Sequence, residues 1–97
     1  MITAILLCTI NRQHIPETAQ LLLEIPEISE VYSVAGDYDL VAIVRVRRHE
    51  DLADVVTSKL APISAITRTN TLIAFRTFSN HDLERLFSIG SEEGEPM

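Results

Sequence analysis

The chain has 97 residues, 46% of them hydrophobic and 23% charged, with a formal net charge of -6. This length gives one domain with a two-layer core and is too small for a second domain. The excess of acidic residues argues against a surface that follows nucleic-acid phosphates, because such binding depends on Lys and Arg, so we expect no direct nucleic-acid partner.

The first predicted element is a strand over residues 2–10, a β-branched and apolar run with apolar side chains on both faces. Met1 leads directly into it, without a basic leader or an apolar stretch long enough to span a membrane, so we expect a cytoplasmic protein without membrane contact. Cys8 is the only cysteine. No intramolecular disulfide is then possible, and we interpret Cys8 as a small buried hydrophobic residue rather than a reactive thiol.

The second predicted element is a helix over residues 15–24. Pro16 suits its first turn, where a backbone N–H has no partner within the helix, and Pro26 ends it. Apolar residues recur at helical spacing and form one stripe, which consists of Ile15, Ala19, Leu22 and Leu23.

Residues 28–47 are predicted to form a hairpin of two strands that turn back at Gly36 and Asp37. Because strand side chains alternate, one face of the first strand carries Ile28, Glu30, Tyr32 and Val34. The second strand carries Leu40, Ala42, Val44 and Val46 on one face and Val41, Ile43, Arg45 and Arg47 on the other. The loop between them brings free amide N–H groups, a phenol and two carboxylates to one end of the sheet. It is the best candidate for a site, and its residues are Gly36, Asp37, Tyr38 and Asp39.

A second helix is predicted from His49, with acidic residues in its first turn as the helix dipole favours, and it stops before Pro62. Its buried stripe consists of Leu52, Val55, Val56 and Leu60. Residues 63–77 return to a strand pattern, with one face made of Thr67, Thr69, Thr71, Ile73, Phe75 and Thr77. We predict that the ligand-binding-type domain spans residues 1–78, that residues 79–90 form a short C-terminal helix, and that residues 91–97 form an acidic disordered tail.

The order strand, helix, strand, strand, helix, strand indicates an α+β, ferredoxin-like βαββαβ fold, with a four-stranded antiparallel sheet and two helices on one face. We expect the helix side to include Leu6, Val44 and Leu72. The other face is predicted to be apolar and to carry Ile5, Leu7, Val41, Ile43, Ile73 and Phe75. Large apolar patches seldom stay exposed in monomers. We therefore predict a homo-oligomer that packs sheet against sheet with two-fold symmetry.

Signals for catalysis and for metal binding are weak. The three histidines, His14, His49 and His81, have no second ligand at metal-binding spacing on a shared element, so we expect neither a metal nor a cofactor. Asp37 and Asp39 could act as acid and base, but a loop carboxylate is most often solvated or caps a turn. We assign no catalytic residue and expect a protein that is not an enzyme.

Two clusters allow more than one interpretation. Arg45, Arg47 and Arg48 could form an anion patch, although a solvated strand end balanced by nearby acids fits them better. The threonines at positions 67, 69 and 71 either reflect the preference of threonine for strands or present hydroxyls to a polar ligand.

The segment Val34-Ala35-Gly36-Asp37-Tyr38-Asp39-Leu40, followed by an arginine-ended strand and by Ile66-Thr67-Arg68-Thr69-Asn70-Thr71-Leu72-Ile73, resembles a known family. It is similar to the effector-binding domain of the leucine-responsive and asparagine-responsive (Lrp/AsnC) transcription regulators, also called the RAM domain, over residues 2–77. The resemblance implies a dimeric α+β barrel, a ring of dimers such as an octamer or decamer, and an amino acid or similar small molecule bound between dimers.

Carried over by position, the resemblance implies a ligand site at Gly36, Asp37, Tyr38 and Asp39, with Thr69 and Thr71 as neighbours. Loop amides can hold an α-carboxylate, a loop aspartate an α-ammonium, and the threonines can add hydroxyls. The family's helix-turn-helix domain is absent from this sequence. We therefore expect a stand-alone module that acts alone or by co-assembly with a full-length Lrp/AsnC-type regulator.

Two other classes remain open from the sequence. Small enzymes with a dimeric α+β barrel share the order of strands and helices, and fold alone does not exclude them. A scaffold that oligomerises without any ligand is the third interpretation.

Overall fold

A four-stranded antiparallel sheet with the spatial order β2-β3-β1-β4 is the frame of the molecule. The computed structural model describes residues 1–78 and 80. The strands are β1 (Ile2–Ile10), β2 (Ile28–Ser33), β3 (Leu40–Val46) and β4 (Ile66–Ile73). Helix α1 (Ile15–Leu23) follows a short 3₁₀ turn at Arg12–His14, and helix α2 (His49–Asp54) continues into a π-helical turn, Val55–Lys59. The predicted α+β, ferredoxin-like order is confirmed.

The core lies between the helices and one face of the sheet. Alternate side chains of the two central strands are buried there, as predicted: Ala4, Leu6, Cys8 and Ile10 on β1, and Leu40, Ala42, Val44 and Val46 on β3. From the second helical segment Leu52, Val55 and Leu60 are buried, while Val56 is half-buried. The pairing of the two central strands determines which of their side chains face the core.

Helix α1 differs from its predicted stripe at one position. Leu22 is buried and Ile15 and Ala19 are half-buried, but Leu23 is exposed. Thr18 is buried instead, because it lies four residues before Leu22 and thus on the same side of the helix.

Strand β2 contains a bulge that changes the predicted face of Ile28. Ile28 pairs with Val44 while Glu30 pairs with Ile43, so Ser29 is an extra residue between them. The Ser29 hydroxyl donates to the Ile43 carbonyl at 3.3 Å and accepts from Arg45 Nη1 at 2.8 Å. As a result Ile28 is buried in the core, whereas Glu30 and Tyr32 lie on the opposite face of the sheet.

The predicted assignment of β4 side chains to the two faces of the sheet is wrong by one residue. Leu72 pairs with Ile5 and so lies on the face away from the helices, while Ile73 pairs with Ala4 and lies on the helix side. The threonine row therefore also faces the helix side. Both faces of β4 carry polar and apolar residues, so its composition does not indicate which side chains face the helices. Only the pairing with β1 determines this.

The face away from the helices, which we call the open face, is apolar at its centre. Its central side chains are half-buried or exposed in the single chain and belong to Ile5, Leu7, Val41, Ile43 and Leu72. Polar side chains surround them, namely Thr3, Thr9, Glu30, Tyr32, Arg45, Arg68 and Asn70. The predicted apolar second face is thus present at Ile5, Leu7, Val41 and Ile43, but Leu72 takes the place of Ile73, and Phe75 lies beyond the end of β4.

The predicted C-terminal helix and acidic tail lie outside the described residues, except for Asn80, which is exposed.

Candidate functional site

The β2–β3 connection spans residues 34–39 and lies where the central strands of the sheet end. The Val34 amide donates to the Asp39 carbonyl at 3.0 Å, which closes the loop. Gly36 has φ +119, the only positive φ among the described residues. A side chain is strained in that conformation, so glycine is required for this turn.

Asp39 fastens the loop to the end of β1 by two contacts. Its Oδ2 accepts from the Ile10 amide at 2.8 Å, and its own amide donates to the Cys8 carbonyl at 2.9 Å. Half of the Asp39 carboxylate is therefore engaged with the backbone, and the position of the loop relative to β1 is fixed.

Tyr38 extends the loop across β1 to the edge strand. Asn70 Nδ2 on β4 donates to the Tyr38 hydroxyl at 3.4 Å. Asn70 pairs with Leu7, which also pairs with Val41, so the contact lies at the end of the open face. Sequence reasoning did not single out Asn70, because only the pairing of β4 with β1 brings it near the loop.

The tip of the loop presents unused backbone donors. Among residues 1–78, no backbone carbonyl accepts a hydrogen bond from the amides of residues 35–38. Residues 35–37 are exposed, and Tyr38 is half-buried. Consecutive free amides next to carboxylates can bind the carboxylate and ammonium groups of one zwitterionic molecule.

The two threonines of the predicted site lie apart from this tip in the single chain. Thr69 and Thr71 pair with Cys8 and Leu6, whose side chains face the core. Thr69 is two strand spacings from Leu40, about 10 Å, and faces away from the Asn70 side of β4. One chain thus brings Gly36, Asp37, Tyr38 and Asp39 together but does not join them to Thr69 and Thr71.

Thr69 instead lines a groove beside the outer edge of β4. The groove has a volume of about 270 Å³ and lies between β4, the π-helical turn and the segment that joins them. Its lining residues are Val56, Leu60, Ala61, Ile63, Ser64, Ile66, Thr67, Arg68 and Thr69. Thr67 donates from its hydroxyl to the Thr9 carbonyl at 3.1 Å.

Ionisable groups elsewhere have structural explanations. Burial raises the pKa of Cys8 to about 11, so its thiol stays protonated. Arg48 lies 3.8 Å from Glu50 and 3.5 Å from Asp51, which agrees with a solvated strand end rather than an anion site. No cluster of three or more potential metal ligands occurs within residues 1–78. None of the helices in this part of the chain is long and apolar enough to cross a membrane.

Comparison with known proteins identifies relatives among transcription regulators. The transcriptional regulator FL11 of Pyrococcus furiosus is 32% identical over 75 residues, which are 77% of this chain and 49% of that protein. The regulator Ptr1 of Methanocaldococcus jannaschii is 30% identical over 79 residues, 81% of this chain and 53% of that protein. The chain thus spans about half the length of the curated relatives it matches.

Solved structures give the same result. A crystal structure of a Thermus thermophilus protein is 42% identical, with a TM-score of 0.76, and the match covers 81% of this chain and 99% of that one. A feast or famine regulatory protein from M. tuberculosis, solved in complex with L-methionine, is 29% identical with a TM-score of 0.67 over 81% of this chain and 53% of that one. The family model for the Lrp/AsnC ligand binding domain matches residues 3–83. The chain therefore belongs to the Lrp/AsnC ligand-binding domain family.

Proposed function

We propose that this chain is an effector-binding module that takes up a free amino acid or a similar small zwitterion, assembles as a homodimer or a ring of dimers, and modulates transcription. The observation that carries the proposal is the loop at residues 34–39, which is fastened to β1 by Asp39 and presents free amides at residues 35–38. A preformed loop of this kind binds with little loss of conformational freedom.

The ligand site is completed between copies of the chain. The loop projects from one end of the sheet, whereas the groove that contains Thr69 is concave and lies at the outer edge of β4. A loop of one copy that enters the groove of the next would join Gly36, Asp37, Tyr38 and Asp39 to Thr69. This arrangement would bring Thr69 to the loop residues from which it is separated in one chain, whereas Thr71 does not line the groove.

The relatives support an effector-binding role rather than an enzymatic one. They are transcription regulators about twice as long as the match, and one related structure holds L-methionine. The excess of acidic residues disfavours direct binding to DNA by this chain alone. We therefore propose that it acts on transcription by co-assembly with a full-length Lrp/AsnC-type regulator.

A thermal-shift screen against the twenty amino acids tests the binding step. A ligand that binds only the folded state raises the melting temperature by mass action, so we expect a rise for a small group of amino acids. Tyr38→Phe in the loop and Thr69→Val in the groove should each reduce that rise. Thr77→Val is the matched control, because Thr77 is exposed and lies outside both the loop and the groove.

Two results would contradict the proposal. If no amino acid shifts the melting temperature at millimolar concentration while the protein is oligomeric, the scaffold interpretation replaces it. If Tyr38→Phe weakens binding but Thr69→Val does not, the ligand contacts the loop alone, and the groove has no part in the site.

A further inference from the structure

One side of the groove beside β4 is a series of linked backbone turns over residues 55–66, which we call the groove wall. The Leu60 amide donates to the Val55 carbonyl at 3.0 Å and closes the π-helical turn. The Ile63 amide then donates to the Leu60 carbonyl at 2.9 Å, and the Ile66 amide to the Ile63 carbonyl at 3.1 Å. Because Leu60, Ile63 and Ile66 all line the groove, the positions of these turns determine its shape.

The groove wall is fastened near both of its ends. Next to β4, the Asn11 amide donates to the Ala65 carbonyl at 2.8 Å. At the π-helical turn, Lys59 Nζ donates to both carboxylate oxygens of Glu27 at 2.8 Å. Glu27 is itself held in place, because its backbone carbonyl accepts from the Arg45 amide of β3 at 2.9 Å. The ion pair therefore ties the groove wall to the chain at the start of β2.

Lys59 is the residue of the groove wall whose side-chain hydrogen bonds reach another element. Thr57, the other wall residue with a side-chain hydrogen bond among the described residues, donates to Ala53 in the same helical segment at 2.7 Å. Val55 and Leu60 are buried, so the wall stays attached to the core without the ion pair. Loss of the pair should therefore change the position of the wall rather than the fold.

The π-helical turn makes the position of the wall sensitive to such a contact. Turns of this kind are rare, occur mostly as single turns within α-helices, and are frequent at functional sites. A π-helical turn contains one residue more than an α-helical turn, so a return to α-helical bonding would shift the residues after it by one position, about 100° around the helix axis. That shift would turn Leu60 away from the groove. Lys59 is the last residue of the turn, where its contact with Glu27 opposes the shift.

We propose that the ion pair between Glu27 and Lys59 positions the groove wall for the amino acid that the groove binds. The inference rests on the proposed function, in which the groove is part of the ligand site. Neither Glu27 nor Lys59 lines the groove, so both are positioning residues that do not touch the ligand. Because Glu27 directly precedes β2, the contact makes the ligand site depend on the edge of the sheet farthest from β4.

Lys59→Met tests the effect on binding, with L-methionine as the probe because a related structure holds it. Isothermal titration calorimetry, at a temperature where every variant is folded, measures affinity separately from stability. We expect Lys59→Met to raise the dissociation constant by about threefold to thirtyfold, the range for contacts that act on a site from a distance. Lys59→Arg should stay within about twofold of the wild type, because a guanidinium can donate to both carboxylate oxygens.

Arg48→Met is the matched control for the loss of a cation. Arg48 precedes the same helical segment, and its ion pairs with Glu50 and Asp51 lie away from the residues that line the groove. We expect this variant to bind L-methionine as the wild type does.

Amide hydrogen exchange in the ligand-free protein gives a second test that does not depend on the probe. In Lys59→Met the amides of Leu60, Ile63 and Ile66 should exchange at least about fivefold faster, because exchange reports local opening. The amides of β1 and β3 should change by a smaller factor. A variant that merely lowers the stability of the whole domain would accelerate the strand amides at least as much.

Three results would overturn the inference: wild-type exchange rates at the three wall amides, equal acceleration of the strand amides, or unchanged affinity for L-methionine in Lys59→Met. A wild-type protein that binds neither L-methionine nor any other amino acid contradicts the proposed function instead. The exchange rates then decide alone whether the ion pair positions the groove wall.

Discussion

Asp39 is a candidate ligand-binding residue that also has a structural role. Its position in the Gly-x-Tyr-Asp-Leu segment made it a candidate partner for an ammonium group. In the structure its Oδ2 accepts from the Ile10 amide, at the point where the pairing of β1 with β4 shifts register between Thr9 and Ile10. The carboxylate thus stabilises the end of β1, where the regular pairing of strands stops.

We expect Asp39→Ala to lower the free energy of unfolding by about 1–3 kcal/mol, because it leaves the Ile10 amide without an acceptor. Asp39→Asn keeps an oxygen at that place and should cost less. Urea unfolding monitored by circular dichroism measures both values. Asp37→Ala is the control, since Asp37 is exposed and substitutions at such positions usually change stability by less than about 0.5 kcal/mol. Equal losses at positions 37 and 39 would show that the contact with Ile10 does not stabilise the fold.

Single residues also show which face assignments the sequence could predict and which it could not. Alternation assigned the buried faces of β1 and β3 correctly, because those strands have neighbours on both sides. It failed at Ile28, where the extra residue Ser29 reverses the phase, and at Leu72, where both faces of the strand are mixed. The position of a bulge and the face on which the side chains of an edge strand lie depend on pairing partners far along the chain. Local composition does not reveal these partners.

At the scale of the elements, the second helical segment is tied to the sheet by an ion pair. Lys59, at the end of the π-helical turn, donates to both carboxylate oxygens of Glu27 at 2.8 Å, and Glu27 precedes β2. The hydrogen bonds from Lys59 hold the pKa of Glu27 below its ordinary value and raise the pKa of Lys59. The sequence predicted one continuous helix and gave no sign of the π-helical turn that places Lys59 there.

The direction of these pKa shifts predicts the pH dependence of the pair. Glu27 has a lower pKa when folded, so its contribution is present above the ordinary glutamate value of about 4.3 and is lost as the pH falls through the folded pKa. Lys59 has a higher pKa when folded, so its contribution is present below about 10.4 and is lost as the pH rises further.

We therefore expect Glu27→Gln to reduce the free energy of unfolding by a constant amount from about pH 5 to pH 10, and by a shrinking amount in acid. Thermal unfolding of both proteins across this range measures the difference. Glu50→Gln is the control, because Glu50 lies 3.8 Å from Arg48 with both side chains mostly exposed, where ion pairs contribute little. A difference that grows below pH 4 would have the wrong sign for the proposed pair.

At the scale of the whole molecule, the open face presents an apolar centre that the helices of the described residues leave uncovered. Its apolar centre lies opposite the helices, which cover only the other side of the sheet. The fold class, the order of elements and the existence of a second apolar face could all be predicted from periodicity. Of the candidate site, the sequence could indicate only the loop, because the proximity of Asn70 to the loop and the groove beside β4 depend on strands brought together by folding.

We expect Leu72→Ser to convert the oligomer to smaller species without unfolding the chain. Leu72 is 47% exposed in the single chain and lies on the open face, so the substitution should affect association rather than the core. Leu21→Ser is the matched control, since Leu21 is 44% exposed but belongs to α1 on the opposite side. Mass by light scattering and secondary structure by circular dichroism check the two variants. If Leu21→Ser dissociates the protein and Leu72→Ser does not, the interface lies on the helix side instead.

The burial of Cys8 has a practical consequence for such experiments. Its thiol is protonated and enclosed in the core, and a maleimide reacts with an exposed thiolate. A cysteine introduced at the loop tip, for example at Ala35, can therefore carry a fluorophore while the native thiol stays unlabelled, without any need to replace Cys8. The same native thiol reports its own exposure, because its rate of modification measures how often β1 separates from the helices.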